Sequence, residues 1–121
     1  MGSKKTLVIG ASEKTERYSN KAIHMLRKYN HEVVAIGNKA GMVQDISFGT
    51  EKTTFENIDT VTLYIGEKHQ PEYYDYILSL HPNRIIFNPG TENDEFVHLA
   101  KAQHIECLEA CTLVMLSTGQ Y

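Results

Sequence analysis

The stretch Thr6-Leu7-Val8-Ile9-Gly10-Ala11-Ser12 decides the fold of this chain. Residues that favour a β-strand lead into three small residues, and Arg17-Tyr18-Ser19 follows at the start of a helical pattern. A glycine lets the backbone approach a ligand closely, and the N–H groups at a helix start attract anions. The stretch therefore predicts a strand, a turn and a helix that bind a phosphate-bearing, nucleotide-like ligand, with Arg17 adding a positive charge.

Length and composition predict one compact domain. At 121 residues, of which 41% are hydrophobic, the chain can bury a core but cannot hold two domains of ordinary size. The net charge of -3 lacks the broad positive field of a nucleic-acid-binding protein, so no such partner is expected. The longest apolar run near the C-terminus, residues 110–116, is too short to cross a bilayer. Only two cysteines and no leader-like segment favour a cytoplasmic protein without membrane association.

Short β-rich runs alternate with segments of helical periodicity, which is typical of βαβ units. Strands are predicted over residues 6–10, 32–36, 60–65, 84–87 and 105–108. Helices are predicted from Ser19, with Ser19 as the N-cap, and over residues 72–80 and 92–103, with a final turn or short helix over residues 110–116. Residues 37–57 lack periodicity, so only a short edge strand over residues 46–48 is expected there. Together these elements predict a single α/β domain: three layers around a doubly wound, mainly parallel sheet of five or six strands.

The predicted helices each present one apolar face to the sheet. Helical spacing predicts that the residues packed on the sheet are Ala22, Met25, Leu26 and Tyr29 in the first helix, Tyr73, Ile77 and Leu80 in the second, and Phe96, Leu99 and Ala100 in the third.

The turns that follow the predicted strands should lie together. The carboxyl ends of parallel strands meet at one edge of a sheet, and ligands bind there where the strand order reverses. These turns cover residues 10–12, 37–39, 65–68 and 88–91. Each contains a glycine, and Arg17, Lys39 and Lys68 are in or near three of them. Turns of this kind suit an extended, anionic ligand.

The sequence departs from the usual dinucleotide-binding pattern. The G-x-G-x-x-G motif and an acidic residue after the second strand are both absent, and Gly10 has no second or third glycine after it. Asn38 and Lys39 stand where the acid is expected. A cation there suits a ligand phosphorylated on its sugar, and both NADP and coenzyme A meet that description.

The same residues carry a family resemblance. The chain resembles the stand-alone bacterial CoA-binding proteins, which are similar to the N-terminal CoA-binding domain of the succinyl-CoA synthetase alpha subunit. The resemblance covers nearly the whole chain and implies a Rossmann-like fold that binds coenzyme A without a demonstrated reaction. The motifs that carry it are Leu7-Val8-Ile9-Gly10-Ala11-Ser12, Arg17-Tyr18-Ser19-Asn20, Asn38-Lys39, Asn88-Pro89-Gly90-Thr91-Glu92 and Glu109-Ala110-Cys111-Thr112.

Transferred residue by residue, the resemblance implies a set of cofactor-binding positions. Gly10, Ala11 and Ser12 would contact the pyrophosphate, with Arg17 and Ser19 beside it. Because the catalytic ligase carries its phosphohistidine on a separate domain, the resemblance implies no catalytic residue here.

The other turns would hold the two ends of the ligand. The Asn38-Lys39 turn would face the adenosine end, where the 3′-phosphate needs a cation. Ile65-Gly66 would line the adenine or ribose wall, and Pro89-Gly90 would continue the rim toward the pantetheine. Family members often have proline where this chain has Asn38, which affects the shape of that turn.

Other residues suggest weaker hypotheses. The six histidines lack the spacing of a metal site, although His69 falls at the predicted rim. Cys107 and Cys111 are expected to be buried thiols, with a mixed disulfide between Cys111 and the ligand thiol as the alternative. Tyr73, Tyr74 and Tyr76 are expected to combine helix packing with a partly exposed face, and a homodimer surface is the alternative.

Two classes of function remain from the sequence. The first is a protein that binds coenzyme A or acyl-CoA, non-catalytic or of unknown reaction. The second is an NADP-binding, oxidoreductase-like domain, and a CoA-binding subunit of a split acyl-CoA ligase is a further alternative. No nucleophile motif and no pair of carboxylates for acid–base work is recognisable, so the case for an enzyme is weak.

Overall fold

A computed structural model describes residues 2–121 and shows a parallel sheet with helices on both faces. The strands are β1 (Thr6–Ala11), β2 (Val33–Gly37), β3 (Gly41–Val43), β4 (Ile46–Phe48), β5 (Thr60–Leu63), β6 (Arg84–Phe87) and β7 (Glu106–Glu109). The helices are α1 (Tyr18–Lys28), α2 (Tyr74–Ser79), α3 (Asp94–Lys101) and α4 (Thr112–Ser117), and two 3-10 turns cover Glu67–His69 and Pro71–Tyr73.

The strand order of the main sheet is β2-β1-β5-β6-β7, and every neighbouring pair is parallel. Val8 in β1 pairs with Ala35 of β2 on one side and Thr62 of β5 on the other. The chain first winds from β1 to β2 and then crosses back to β5, so the order reverses between β1 and β5. A doubly wound sheet leaves its ligand crevice at such a reversal, on the carboxyl side of the strands. The predicted fold class is thus confirmed, with five strands in the sheet.

Alternate residues along the strands feed two cores. Leu7, Ile9 and Phe87 pack in one cluster with Ile77 of α2 and Phe96 of α3. The side chains of β1 and β2 on the other face of the sheet pack in a second cluster with α1, α4 and the β3–β4 hairpin. The buried members of this cluster include Val8, Ala35, Ile23, Leu26, Val43, Phe48 and Leu116. Since side chains alternate across a strand, this division makes the three layers that the pattern predicts.

The segment after β2 differs from the expectation. The predicted strand over residues 46–48 is present, but it pairs antiparallel with β3, a strand that the sequence analysis missed. A bridge between Ile36 and Gly49 joins this hairpin to the main sheet. The turn between the two strands uses Gln44 with φ of 53°, so no glycine marks it in the sequence. A three-residue strand with an unusual turn residue shows no periodicity to detect.

Several predicted helix features need correction. Ser19 is not the N-cap, because the helix begins earlier: Arg17 caps α1 without a side-chain hydrogen bond, and Ser19 is a buried residue of the first turn. The turn that brings the Arg17 amide to the Lys14 carbonyl, at 3.1 Å, sets this earlier start. Tyr29 and Leu99 are exposed rather than packed on the sheet. The helix predicted over residues 72–80 is a 3-10 turn followed by α2, and the third helix is shorter than predicted. None of the helices within residues 2–121 is long and apolar enough to span a membrane.

Candidate functional site

A cleft of ≈ 540 Å³ opens at the carboxyl edge of the sheet, across the ends of β2, β1, β5 and β6. The structure brings all eleven predicted cofactor-binding residues to its walls: Gly10, Ala11, Ser12, Arg17, Ser19, Asn38, Lys39, Ile65, Gly66, Pro89 and Gly90. Lys68, expected at the same edge, does not line it. The wall also contains Gly37 and Thr91 of the predicted turns and His69 of the predicted rim. Its other residues were not predicted there, namely Lys14, Tyr18, Tyr64, Glu72 and Tyr73.

Gly10 makes the turn at the centre of the cleft. Its φ is +99°, which favours glycine, and a Cβ there would lie 3.0 Å from the Tyr64 carbonyl oxygen and 3.0 Å from Ile65 Cγ2. The register of β1 on β2 shifts between Ile9 and Ala11, on either side of this glycine. The backbone can therefore leave β1 close against the end of β5 only because no side chain is present.

The loop after β1 is held from below by Asn20. This buried side chain donates from Nδ2 to the Ser12 carbonyl oxygen at 3.0 Å, while the Lys14 amide donates to Ser12 Oγ at 3.1 Å. No acidic residue occupies the first turn of α1, and no side chain caps that end. The first amides of α1 and the positive end of its dipole are thus available at the cleft.

The end of β2 lies closely against the end of the neighbouring strand β1. A Cβ on Gly37 would lie 2.5 Å from the Ala11 carbonyl oxygen, so only glycine allows this approach. The Gly37 amide donates to the Gly49 carbonyl oxygen at 3.0 Å, which fixes the strand end to the hairpin segment. As a result Asn38 and Lys39 lie in the same cleft wall as Ser12.

Gln70 ties together the two loops of the opposite wall. Its side chain is fully buried and donates from Nε2 to the carbonyl oxygens of Ile65, at 3.1 Å, and of Thr91, at 2.8 Å. Its Oε1 accepts from Asn93 Nδ2 at 2.9 Å, and Asn93 in turn caps α3 by accepting from the Phe96 amide. The turns after β5 and β6 are therefore joined through one buried amide side chain.

Asn88 performs a similar role between the strand ends. Its Nδ2 donates to the Leu63 carbonyl oxygen at 2.8 Å and to Thr62 Oγ1 at 2.6 Å, and its Oδ1 accepts from the Thr112 amide at 2.9 Å. Thr62 and Thr112 also share a hydrogen bond between their hydroxyls. This buried network joins β5, β6 and the start of α4 beneath the cleft.

Charge is divided unevenly along the cleft. All three lysine and arginine residues in its wall, Lys14, Arg17 and Lys39, belong to the loops after β1 and β2. On the β5–β6 side the wall contains His69 and Glu72 instead, and Lys52 lies 4.8 Å from the Tyr73 ring centroid and pairs with Glu72 at 3.9 Å. The cleft is therefore suited to an extended ligand that carries its anionic groups at the β2–β1 end.

The remaining candidates fall outside this wall or serve the fold. Cys107 and Cys111 are half-buried rather than buried, burial raises the pKa of Cys107, and neither thiol lines the cleft. Tyr64 reaches from the cleft wall into the second core, and burial raises the pKa of its hydroxyl well above the usual range. Within residues 2–121 no cluster of three or more histidine, cysteine or acidic residues is arranged to hold a metal ion.

The tyrosines after the middle strand contact other parts of the chain. Tyr74 stacks on Phe96 with ring centroids 4.5 Å apart and donates from its hydroxyl to Glu95 at 2.9 Å. Tyr76 donates to the Thr53 carbonyl oxygen, and burial raises its pKa to about 12. Tyr73 lines the cleft. All three tyrosines also pack against the first core and stay partly exposed, as the sequence predicts.

The sequence does not predict the supporting roles of Asn20, Gln70 and Asn88. A signal for them exists, since each is an amide side chain close to a predicted strand end or helix start. Their partners lie 5 to 26 residues away, however, and spacing alone does not identify such pairs.

Comparison with known proteins identifies the family of this chain. The model described as "CoA binding domain" matches residues 4–117. A solved structure of an uncharacterized protein is 45% identical, with a TM-score of 0.97 and complete coverage of both chains. The structure of cell-free ID.343 from Thermus thermophilus is 16% identical, has a TM-score of 0.86 and covers 98% of this chain and 91% of that chain. A hypothetical protein from Pyrococcus horikoshii OT3 is 21% identical, has a TM-score of 0.80 and covers 96% of this chain and 83% of that chain. The last two likenesses show the fold alone. No curated protein matches the chain.

Proposed function

Because the chain belongs to the CoA binding domain family, we propose that its cleft binds coenzyme A or an acyl-CoA thioester as a small-molecule ligand. The observation that carries the proposal is the convergence, at one end of the cleft, of Lys14, Arg17 and Lys39 with the first amides of α1. Coenzyme A carries a diphosphate and a 3′-phosphate at one end and a neutral pantetheine arm at the other. That distribution of charge matches the division of charge along the cleft.

The diphosphate is assigned to the turn after β1. Gly10, Ala11 and Ser12 present their backbone there with no large side chain in the way, and the Asn20 hydrogen bond to Ser12 holds the turn in place. Arg17 and Ser19 lie beside it, at the positive end of α1.

Lys39 is assigned to the 3′-phosphate. It is exposed in the wall formed by the end of β2, where a dinucleotide-binding protein would hold a ribose with an acid. Its neighbour Asn38 is uncharged, so no anion beside Lys39 in this turn opposes a phosphate.

The pantetheine arm is assigned to the β5–β6 side. Ile65-Gly66 would contact the adenine or ribose and the start of the arm, and Pro89-Gly90 the later part of the arm. Gln70 joins these two turns, so this wall is formed before a ligand arrives. No nucleophile or metal centre is assigned in the cleft, and we propose a binding role rather than a reaction.

The test is a calorimetric titration of the purified protein with coenzyme A, acetyl-CoA, NADP and NAD. We expect saturable binding of the two CoA species and much weaker binding of both nicotinamide cofactors. Binding of NADP without binding of coenzyme A would contradict the proposal and favour the oxidoreductase-like alternative. The CoA-binding subunit of a split ligase would also bind coenzyme A, and co-purification with a second chain distinguishes it.

A further inference from the structure

Glu13 connects the loop after β1 to the β3–β4 hairpin. Its Oε2 accepts a hydrogen bond from the Met42 amide at 2.8 Å. The carboxylate lies directly on Gly41, where a Cβ would be 2.7 Å from Glu13 Cγ and 2.8 Å from Cδ. Gly41 thus leaves the room that this side chain occupies, and two segments nearly 30 residues apart meet.

Glu13 also lines a second, smaller cavity of ≈ 210 Å³ that adjoins the main cleft. Both spaces are lined by Ala11, Ser12, Lys14, Asn38 and Lys39, and the smaller one adds Glu13, Ala40 and Phe48. Glu13 does not line the main cleft.

The turn that carries Lys39 is anchored on both sides. Before it, Gly37 packs on the Ala11 carbonyl oxygen; after it, Gly41 packs on Glu13. Only the second anchor uses a side chain of the loop after β1, so a substitution at Glu13 can remove it while the hairpin stays packed in the second core through Val43 and Phe48.

We infer that Glu13 is a positioning residue for recognition of the phosphate esterified to the ligand's ribose: it holds the hairpin against the loop after β1, so that Lys39 reaches that phosphate. The inference rests on the proposed function. A carboxylate near an anionic ligand is unfavourable in Coulomb terms, so the contribution of Glu13 comes through its hydrogen bond to Met42.

The test compares Glu13→Ala with Glu13→Gln. Both variants lose the same charge, but a glutamine oxygen can still accept from the Met42 amide and an alanine cannot. Calorimetry measures the affinity of each for coenzyme A and for 3′-dephospho-CoA. Glu16→Ala, in the same exposed loop, is the matched control.

The wild type should prefer coenzyme A over its dephospho form by about fivefold, as a partly exposed charge-assisted contact predicts. We expect Glu13→Ala to lower that ratio to about one by weakening the binding of coenzyme A alone. Glu16→Ala should keep the ratio, and Glu13→Gln should keep or raise it, because it retains the hydrogen bond and removes a negative charge. The dephospho-CoA affinity reports general damage to the fold, which would weaken both ligands equally.

Each other outcome counts against the inference. Equal ratios in the alanine and glutamine variants would show that the hydrogen bond is irrelevant, and an equal loss for both ligands would reduce Glu13 to a structural role. A wild type that binds coenzyme A without preferring it over the dephospho form would overturn the inference and leave the proposed function standing. A wild type that binds neither ligand would overturn both.

Discussion

Asn88, directly after β6, donates from Nδ2 to the Leu63 carbonyl oxygen at the end of the neighbouring strand β5, at 2.8 Å. A carbonyl at the carboxyl end of a strand has no ladder partner beyond it, and in a buried position it must be satisfied from elsewhere. The Asn88 side chain thus supplies the missing hydrogen-bond donor at this strand end, beneath the cleft.

We expect Asn88→Ala to destabilise the protein by about 2–4 kcal/mol, because the Leu63 oxygen and the Thr112 amide both lose a buried partner. Urea unfolding measures the change. Asn83→Ala is the control: this exposed asparagine bonds to Asp59 at the opposite edge, and its loss should cost no more than about 1 kcal/mol. Equal costs for the two variants would contradict the assignment.

Gly10→Ala should destabilise the protein by about 1–3 kcal/mol, since alanine is strained at φ +99° and its methyl group meets the Tyr64 carbonyl. It should also lower the affinity for the ligand. Gly66→Ala is the matched control in the same cleft. Its φ is -67°, and nothing lies within 4 Å of an added Cβ. Thermal unfolding compares the two, and a Gly66→Ala variant as unstable as Gly10→Ala would show that both glycines are needed for another reason.

Lys39→Ala should lower the affinity for coenzyme A by about fivefold and leave the affinity for 3′-dephospho-CoA nearly unchanged, because the lost ammonium pairs with the additional phosphate. Lys68→Ala, which removes a lysine outside the cleft wall, should change neither. Calorimetric titration measures all four affinities. A parallel loss for both ligands would assign Lys39 to the diphosphate instead.

His31 should make the protein less stable in mild acid. Its Nδ1 accepts from the Lys4 amide at 2.9 Å, and burial, with the charges of Lys4 and Arg84, lowers its pKa below the usual 6.5. The unfolded chain then binds the proton more readily than the folded one. Stability from this group is present above about pH 6.5 and is lost as the pH falls through the folded pKa.

The measurement is urea unfolding between pH 7.5 and pH 5. We expect His31→Asn to flatten the decline in this range relative to wild type, whereas His24→Asn, at an exposed position, should keep the wild-type slope. An unchanged slope in His31→Asn would mean that other groups dominate the acid response.

The parts of the fold that the sequence predicts best are those where one local signal suffices. The predicted bounds of β6 are the observed ones, from Arg84 to Phe87. Three of its four residues are large and apolar, and the segment lies between Asn83 and Asn88-Pro89. The cleft wall was predictable for a topological reason, since every parallel strand of a doubly wound sheet ends at the same edge.

What the sequence did not predict depends on distant partners. The start of α1 depends on the Lys14–Arg17 turn, and β3 is defined only by its pairing with β4. Gln70 lies between the two 3-10 turns, where the sequence has no periodicity, and its place between two loops follows from contacts across 21 residues. Tertiary geometry decides such cases, and a local pattern does not contain it.

The buried amide of Gln70 also bears on the kinetics of binding. Since the turns containing Ile65 and Thr91 share one hydrogen-bonded tether, they cannot open independently without exposing an unsatisfied interior amide. This wall of the cleft is therefore rigid before the ligand binds, and the protein loses little conformational entropy on binding. Association should accordingly follow single-step kinetics, with a rate that rises in proportion to ligand concentration and shows no plateau from a slow rearrangement.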